Sequence, residues 1–180
     1  MRAAPFQITP PDGPLIPTTD LRGVVRMETD ERDGDIEAAL SGAVSLLDGY
    51  RGRLGRCILA QRWALPLLGR AEAVLLPFPD CRDPRIERLV DGAWVEVEGV
   101  GLFHSGQWVA LSDMPDDFTG LHLTVTAGYE TPADVPGDIM AGVRLLVAHL
   151  FDYDPRAWGV EVGNLPANVE AMIAAKVWFG

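Results

Sequence analysis

The segment TDERDGDIE, residues 29–37, has side chains of the type that bind metal ions. A calcium loop of the EF-hand kind needs oxygen ligands at its first, third and fifth positions and glycine at its sixth. Counting from Asp30 puts Arg32 third and Gly34 fifth, and counting from Glu31 puts Ile36 sixth. Since neither register fits, we interpret the segment as an acidic helix N-terminus, where the helix dipole favours carboxylates.

Histidine, cysteine and serine are the other candidates for chemistry. The histidines and cysteines are His104, His122, His149, Cys57 and Cys81, and their spacing matches no zinc pattern. Ser105 follows a histidine, but no Gly-x-Ser-x-Gly motif surrounds it. The sequence therefore points to no catalytic residue and no metal site. A carboxylate pair for glycoside hydrolysis stays open, because nothing singles out one pair in so acidic a chain.

The two cysteines also bear on location. A small secreted domain held together by disulfides carries more of them, so we expect Cys57 and Cys81 to be buried thiols, with a single disulfide as the alternative. The N-terminus MRAAPFQITPPDGP lacks the apolar region of a secretory signal. No apolar run approaches the ~20 residues of a membrane span. We therefore expect a protein of the cytoplasm, or of a particle assembled there, without membrane contact.

The net charge of the chain argues against tight binding to DNA. Its formal net charge is -11, whereas affinity for a phosphate backbone comes largely from cations that displace counterions. A local basic patch stays open, because Arg51, Arg53 and Arg56 cluster closely.

The chain begins with a Pro-rich arm, residues 1–17, that should be extended, either as a disordered tail or ordered against a neighbouring subunit.

Thr18, Thr19 and Asp20 are N-cap candidates for a short helix, LRGVVRM. Apolar stripes at steps of three and four then predict two longer helices. Their stripes are Ile36, Leu40, Ala43, Leu47, Tyr50 and Leu54, and, after Pro136, Ile139, Val143, Leu146 and Leu150 flanked by Met140 and Val147. Asp154-Pro155 should end the second of these helices. A last helix should open between Asn164 and Pro166.

Between these helices, residues 56–127 consist of short, partly alternating segments separated by turn residues, which predicts a small, mostly antiparallel sheet. Asp91-Gly92 predicts a tight hairpin. In LHLTVT, Leu121, Leu123 and Val125 share one face. Strand-like segments also hold Trp63, Trp94 and Trp108, which we expect in the core or half-buried. The predicted class is α+β: a small helical bundle core with an inserted, mostly antiparallel β-sheet. Its single domain spans 18–175, with helices in 18–55 and 136–175.

The C-terminal tail, residues 176–180, places two aromatic rings at the end of a charged chain. Leaving both rings in water would forgo roughly 1.5–3 kcal/mol of burial for each. The tail therefore either packs on its own domain or is an anchor for a partner. As an anchor it would consist of Lys176, Val177, Trp178 and Phe179.

Two motifs, in order along the chain, resemble the head–tail connector (adaptor) family of long-tailed bacteriophages and of phage-derived gene transfer agents. The first is a helix that runs into a Tyr…Gly-Arg…Gln…Trp junction, here Tyr50, Gly55, Arg56, Gln61 and Trp63. The second is Val125-Thr126-Ala127-Gly128-Tyr129 followed by Val135-Pro136 and a long helix. The resemblance covers about residues 18–177.

The resemblance implies a structural protein without catalytic centre or cofactor. It would dock on the portal of a filled capsid, form a ring of roughly a dozen copies and meet other neck proteins such as a stopper. DNA would pass through without specific binding, and an acidic bore would repel it. Met140, Val147 and His149 are the candidate subunit contacts. The alternatives are another neck or tail-completion protein such as a stopper, and a small cytoplasmic enzyme with a dispersed site.

Overall fold

The computed structural model describes residues 4–152 and 165–178, which fall into two compact units. We call them the sheet unit, residues 4–12 and 56–130, and the helical unit, residues 13–55, 131–152 and 165–178. In chain order, the sheet unit interrupts the helical unit after Gly55. The predicted α+β class, with helices on either side of a mostly antiparallel element, is confirmed. No helix of the described ranges is long and apolar enough to cross a membrane.

The helical unit contains four α-helices in the part of the chain that the structure describes. They are α1 (Thr18–Arg22), α2 (Asp33–Leu47), α3 (Gly137–Phe151) and α4 (Ala167–Ile173). The apolar stripes of α2 and α3 are buried as predicted, among them Ile36, Leu47 and Val143. Helix α3 packs against both α2 and α4. A methyl group added at Gly142 would lie 2.7 Å from Ile173 Cγ2, so this glycine sets how closely α3 and α4 approach.

Two helix boundaries differ from the sequence prediction. Helix α1 begins directly after Pro17, so Thr18 lies in the first turn rather than at the N-cap. Helix α2 ends at Leu47, and the next residue is already extended. The chain then turns back: the Leu54 N–H donates to the Leu47 carbonyl at 3.0 Å and satisfies one of the last helical acceptors. Tyr50 and Leu54 therefore lie in the connection and not on the helix. The predicted end of α3 at Asp154-Pro155 lies outside the described residues.

The acidic segment before α2 opens that helix, as predicted. Helix α2 begins at Asp33, whose carboxylate accepts from the Arg22 Nε at 2.8 Å. This hydrogen bond lowers the pKa of Asp33, against a smaller opposing effect of desolvation. Arg32 forms a second ion pair, with Asp35 at 2.8 Å. The Arg22–Asp33 pair thus joins α1 to α2, whereas the Arg32–Asp35 pair lies at the start of α2.

The described strands of the sheet unit form two antiparallel sheets rather than one. In chain order the strands are β1 (Phe6–Thr9), β2 (Gln61–Pro66), β3 (Ala73–Leu75), β4 (Arg82–Val90), β5 (Ala93–Glu96), β6 (Gly101–Ser105), β7 (Trp108–Ser112) and β8 (Leu121–Ala127). The larger sheet has the order β1-β2-β8-β4-β5, and the smaller has the order β3-β7-β6. Both contribute to one hydrophobic core, which includes Phe78, Val109 and Leu123.

Strand β1 gives part of the Pro-rich arm a defined place. Phe6 pairs with Ala64 of β2, so this stretch is an edge strand of its own chain's sheet. The sheet curls enough for the Phe6 ring to reach His122 of β8, with ring centroids 5.6 Å apart. Trp94, on the opposite edge strand β5, contacts the same histidine at 5.0 Å. Because Phe6 and Trp94 both pack against the His122 ring, this part of the arm is held on its own sheet.

The alternation predicted for β8 is confirmed with one exception. Leu121, Leu123 and Val125 are buried, but so is Thr124 on the other face. The Thr124 hydroxyl donates to the buried Glu87 carboxylate, which also accepts from Arg62 Nη2 at 2.7 Å. A buried carboxylate is tolerated when such donors satisfy it.

Two short motifs lie at turns of the sheet unit, and the first of them, the Asp-Gly hairpin, was predicted. Asp91 and Gly92, at φ 50° and 83°, form the tight turn between β4 and β5. At the end of β8, the Tyr129 N–H donates to the Ile58 carbonyl at 3.0 Å, and its carbonyl accepts from Ala60 at 2.8 Å. Gly128 lies against the Leu59 carbonyl, where a Cβ would overlap it. The two motifs that carry the family resemblance are therefore hydrogen-bonded to each other.

We predict an acid-sensitive contribution from the loop before β8. The Thr119 N–H donates to Asp117 at 2.9 Å, and Arg88 Nη1 donates at 2.5 Å; with the Thr119 side chain they lower the pKa of Asp117 to about 2. Because the folded pKa is depressed, this stabilisation is fully present above the unfolded pKa of about 4 and is lost as pH falls toward about 2.

Asp117→Asn should therefore flatten the loss of unfolding free energy over that range, as measured by urea denaturation. Asp116→Asn, one residue away, is the matched control. A carboxyl NMR titration of Asp117 with its midpoint near 4 would contradict the assignment.

Candidate assembly surfaces

The residues with metal-binding or nucleophilic chemistry are separated and locally engaged. A ring nitrogen of His104 lies 2.9 Å from the Gly106 carbonyl, and one of His122 lies 2.9 Å from the Gly120 carbonyl, so both donate within their own turns. His149 is exposed on α3. In residues 4–152 and 165–178, no three His, Cys, Asp or Glu side chains are grouped to hold a metal ion.

Cys57 and Cys81 are buried thiols, as predicted, and no disulfide joins them. Both belong to the core of the sheet unit. Burial raises the pKa of Cys81 to about 12, because the apolar core disfavours the thiolate. The cysteines therefore serve as small core side chains.

Every arginine of the sheet unit is paired with a carboxylate. The six pairs are Arg56–Asp80, Arg62–Glu87, Arg70–Asp116, Arg82–Glu130, Arg85–Glu96 and Arg88–Asp117. Arg56, one of the residues in the predicted basic cluster, also donates to the Tyr129 hydroxyl at 3.3 Å. Cations that are already neutralised bind a phosphate backbone poorly. The sheet unit therefore offers no basic surface in its described part.

The C-terminal tail packs on its own helical unit as far as Trp178. Ala174–Lys176 form a 3₁₀ turn after α4, and the Lys176 Nζ lies 3.7 Å from the Asp138 Oδ2, which makes an ion pair. The Trp178 N–H donates to the Leu54 carbonyl at 2.8 Å. The Trp178 indole N–H is buried and finds no acceptor in the described part of the chain. Phe179 lies outside the described residues.

Gly55 makes room for the tail. Its φ is +62°, and a Cβ at this position would overlap the Trp178 carbonyl oxygen. The glycine of the predicted Tyr…Gly-Arg junction is therefore required for two reasons, the left-handed backbone and the contact with Trp178.

The three predicted subunit-contact residues on α3 differ in exposure. Val147 is fully buried in the single chain, so its side chain has no surface for a neighbour. Met140 is half-buried, and His149 is exposed. Leu145, which the sequence did not single out, is also exposed on this helix.

The outer side of the smaller sheet is an exposed surface that was not predicted from the sequence. Strand pairing puts eight residues on the outer side of the smaller sheet, and we call this the apolar sheet face: Ala73, Leu75, Gly101, Phe103, Ser105, Trp108, Ala110 and Ser112. Phe103 is 70% exposed and Trp108 is 49% exposed, so Trp108 is not a core residue but lies half-exposed on the outer side of the sheet. The alternation of WVALS separates Val109 and Leu111 from Trp108, and the structure places the first two inward and Trp108 outward.

The β4–β5 hairpin carries a second exposed apolar surface. Val90, Ala93 and Val95 share one side of it, and we call them the apolar hairpin residues. Val95 is 50% exposed. The last residue of β4 that pairs with β8 is Arg88, so the turn extends beyond the neighbouring strand.

Comparison with known proteins gives a structural likeness. No family model and no curated protein sequence matches the chain. Among solved structures, a chain from the neck of an empty gene transfer agent particle with C6 symmetry matches with TM-score 0.72 and 18% identity, over 97% of this chain and 95% of that chain. A chain from the virion of a native gene transfer agent particle matches with TM-score 0.65 and 22% identity, over 96% and 94%.

A chain from the native neck with C12 symmetry matches with TM-score 0.61 and 16% identity, over 97% and 94%. At these identities the likeness establishes the fold. That fold is consistent with the head–tail connector resemblance read from the sequence.

Thiol accessibility tests the packing of the sheet core. We expect neither cysteine of the native protein to react with a thiol reagent at about pH 8, because Cys57 and Cys81 are buried and the pKa of Cys81 is about 12. Both should react fully in denaturant. Rapid labelling of Cys81 in the native protein, followed by mass spectrometry, would contradict the core assignment.

Gly55→Ala should destabilise the protein by more than backbone strain alone. A left-handed alanine costs roughly 1–2 kcal/mol, and the Cβ would also displace the Trp178 carbonyl. Gly13→Ala is the matched control, since Gly13 has φ +86° and open space around it. Thermal melts that show equal losses for the two variants would argue against the Trp178 contact.

Proposed function

We propose that this chain is a structural, non-enzymatic neck protein: a head–tail connector adaptor that forms a ring, docks on the portal of a DNA-filled capsid and extends the DNA channel toward the tail. The observation that carries the proposal is the match to a gene transfer agent neck chain over 97% of this chain and 95% of that chain. The protein would belong to the neck of a phage or gene-transfer-agent particle, assembled in the bacterial cytoplasm.

Ring formation is supported by the symmetry of the similar particles. Two of the similar chains come from necks with C6 and C12 symmetry. A ring of roughly a dozen copies needs two different surfaces on each subunit, because each copy contacts the next head to tail. The exposed apolar surfaces supply contact area, and on α3 we keep Met140 and His149 as candidate contacts, joined by Leu145.

Passage of DNA without binding is supported by the charges. The chain has a net charge of -11, and all six arginines of the sheet unit are in ion pairs. A wall of this composition has few free cations to displace the counterions of DNA. It would repel DNA at short range and let it slide.

Portal docking is the most specific part of the proposal. We keep Lys176, Val177, Trp178 and Phe179 as the portal-binding segment, because an aromatic end of chain is a typical interface anchor. Its attachment to Leu54 gives it a fixed starting position in the free protein. The buried indole N–H of Trp178, without an acceptor in the described part of the chain, would gain one if the segment shifted onto a partner.

Deletion of residues 177–180 tests this segment. We expect loss of binding to purified portal, measured by co-sedimentation and by negative-stain imaging of portal-bound caps. The melting temperature should also fall, because the Trp178 hydrogen bond and part of its burial are lost, roughly 1–3 kcal/mol in all. Binding is therefore measured well below the melting temperature of the variant.

Leu68→Glu, which adds a charge at an exposed site of the sheet unit, is the control and should keep portal binding. Unchanged portal binding after the deletion would remove the tail from the interface. Rings that bind another neck protein but never the portal would favour a stopper over an adaptor.

A further inference from the structure

We propose that the apolar sheet face of one copy binds the apolar hairpin residues of the next copy in the ring. This inference rests on the ring-forming function proposed above and names the surfaces that would close the ring. It concerns exposed residues of the sheet unit whose part in function the sequence did not indicate.

The apolar sheet face carries no charge at any of its eight positions. Phe103 and Trp108 stand on adjacent strands, and the small residues Gly101 and Ala110 leave a depression of about 270 Å³ beside Phe103. Such a surface, in a chain where 23% of the residues are charged, is suited to protein contact. It lacks the cations that nucleic acid needs.

A second copy of this chain is the partner that the symmetry of the similar necks favours. Two copies that each carry -11 repel each other, so contact between them is least opposed where both surfaces are uncharged and apolar. The apolar hairpin residues Val90, Ala93 and Val95 provide such a surface on the same chain. Arg88, next to them, is already paired with Asp117 and brings no free charge.

The two surfaces differ in shape, which gives the contact a direction. One is a sheet face with a depression, and the other is a hairpin that extends beyond its neighbouring strand. Contact between unlike surfaces is heterologous, and repetition of such a contact closes a ring when the rotation allows it. Identical surfaces would instead produce isolated dimers.

Cysteine cross-linking tests the pairing. Full-length Val95→Cys and Phe103→Cys variants are mixed and oxidised, alone at high concentration and after addition of portal. We expect a covalent heterodimer in the mixture, with little product from either variant alone, and a ladder of higher oligomers from the double variant. Leu68→Cys mixed with Phe103→Cys is the control, and it should give no dimer although Leu68 is 71% exposed. The native cysteines are buried and should not contribute.

A charge substitution gives an independent readout. Phe103→Glu should reduce ring formation at least tenfold, measured by sedimentation velocity and by ring counts in negative stain, while Leu68→Glu leaves it unchanged. The two sites are matched in exposure, 70% and 71%. Circular dichroism melts confirm that both variants fold.

Rings that persist in Phe103→Glu, or mixtures of the Val95→Cys and Phe103→Cys variants that yield no heterodimer, would overturn the pairing and leave the adaptor function standing. A ladder limited to dimers would mean an isologous contact and would also overturn it. A native chain that stays monomeric at every concentration, alone and with portal, would overturn both proposals.

Discussion

Backbone hydrogen bonds between the entry and the exit of the sheet unit are the constraint on which that unit depends. Ala60 and Ile58 bond to Tyr129 at 2.8 and 3.0 Å, and the Gly128 backbone packs on the Leu59 carbonyl. Bringing the ends of a long insertion together costs loop-closure entropy once, and the cost grows only slowly with length. Once the ends are joined, two sheets can share one core between them. The Tyr129 hydroxyl accepts a further hydrogen bond from Arg56 at 3.3 Å.

In the helical unit, another backbone hydrogen bond joins two segments that are far apart in the sequence. Its C-terminal segment returns to the end of the α2 connection, where the Leu54 carbonyl accepts from Trp178. Close approach is possible because Gly55 and Gly142 lack side chains where Trp178 and Ile173 lie. In each unit, therefore, a glycine stands beside a backbone contact that joins residues far apart in the sequence.

Periodicity predicted what depends on one chain's local pattern. The stripes of α2 and α3, the alternation of β8, the Asp-Gly hairpin and the buried thiols all follow from spacing or composition, and the structure confirms them. What periodicity missed depends on contacts distant in sequence. Pairing of Phe6 with Ala64 and the closure of Trp178 on Leu54 leave no local signal. The outward side of Trp108 was left open because alternation assigns two faces without saying which one the core covers. The proposed interface residues are harder still, since no local pattern shows which exposed apolar surfaces meet in an assembly.

Charge and exposed apolar surface together define what an assembly of this chain can do. Electrostatic repulsion between copies acts over about 8 Å at physiological salt, whereas apolar burial acts at contact. Contact between acidic subunits is therefore least opposed at neutral faces that fit closely, and the arginines of the sheet unit, already paired with carboxylates, bind DNA poorly. The same charge distribution thus disfavours loose self-association and nucleic-acid capture, while it leaves close contacts such as those of Phe103 and Val95 available. The channel subunit proposed above would need all three properties at once.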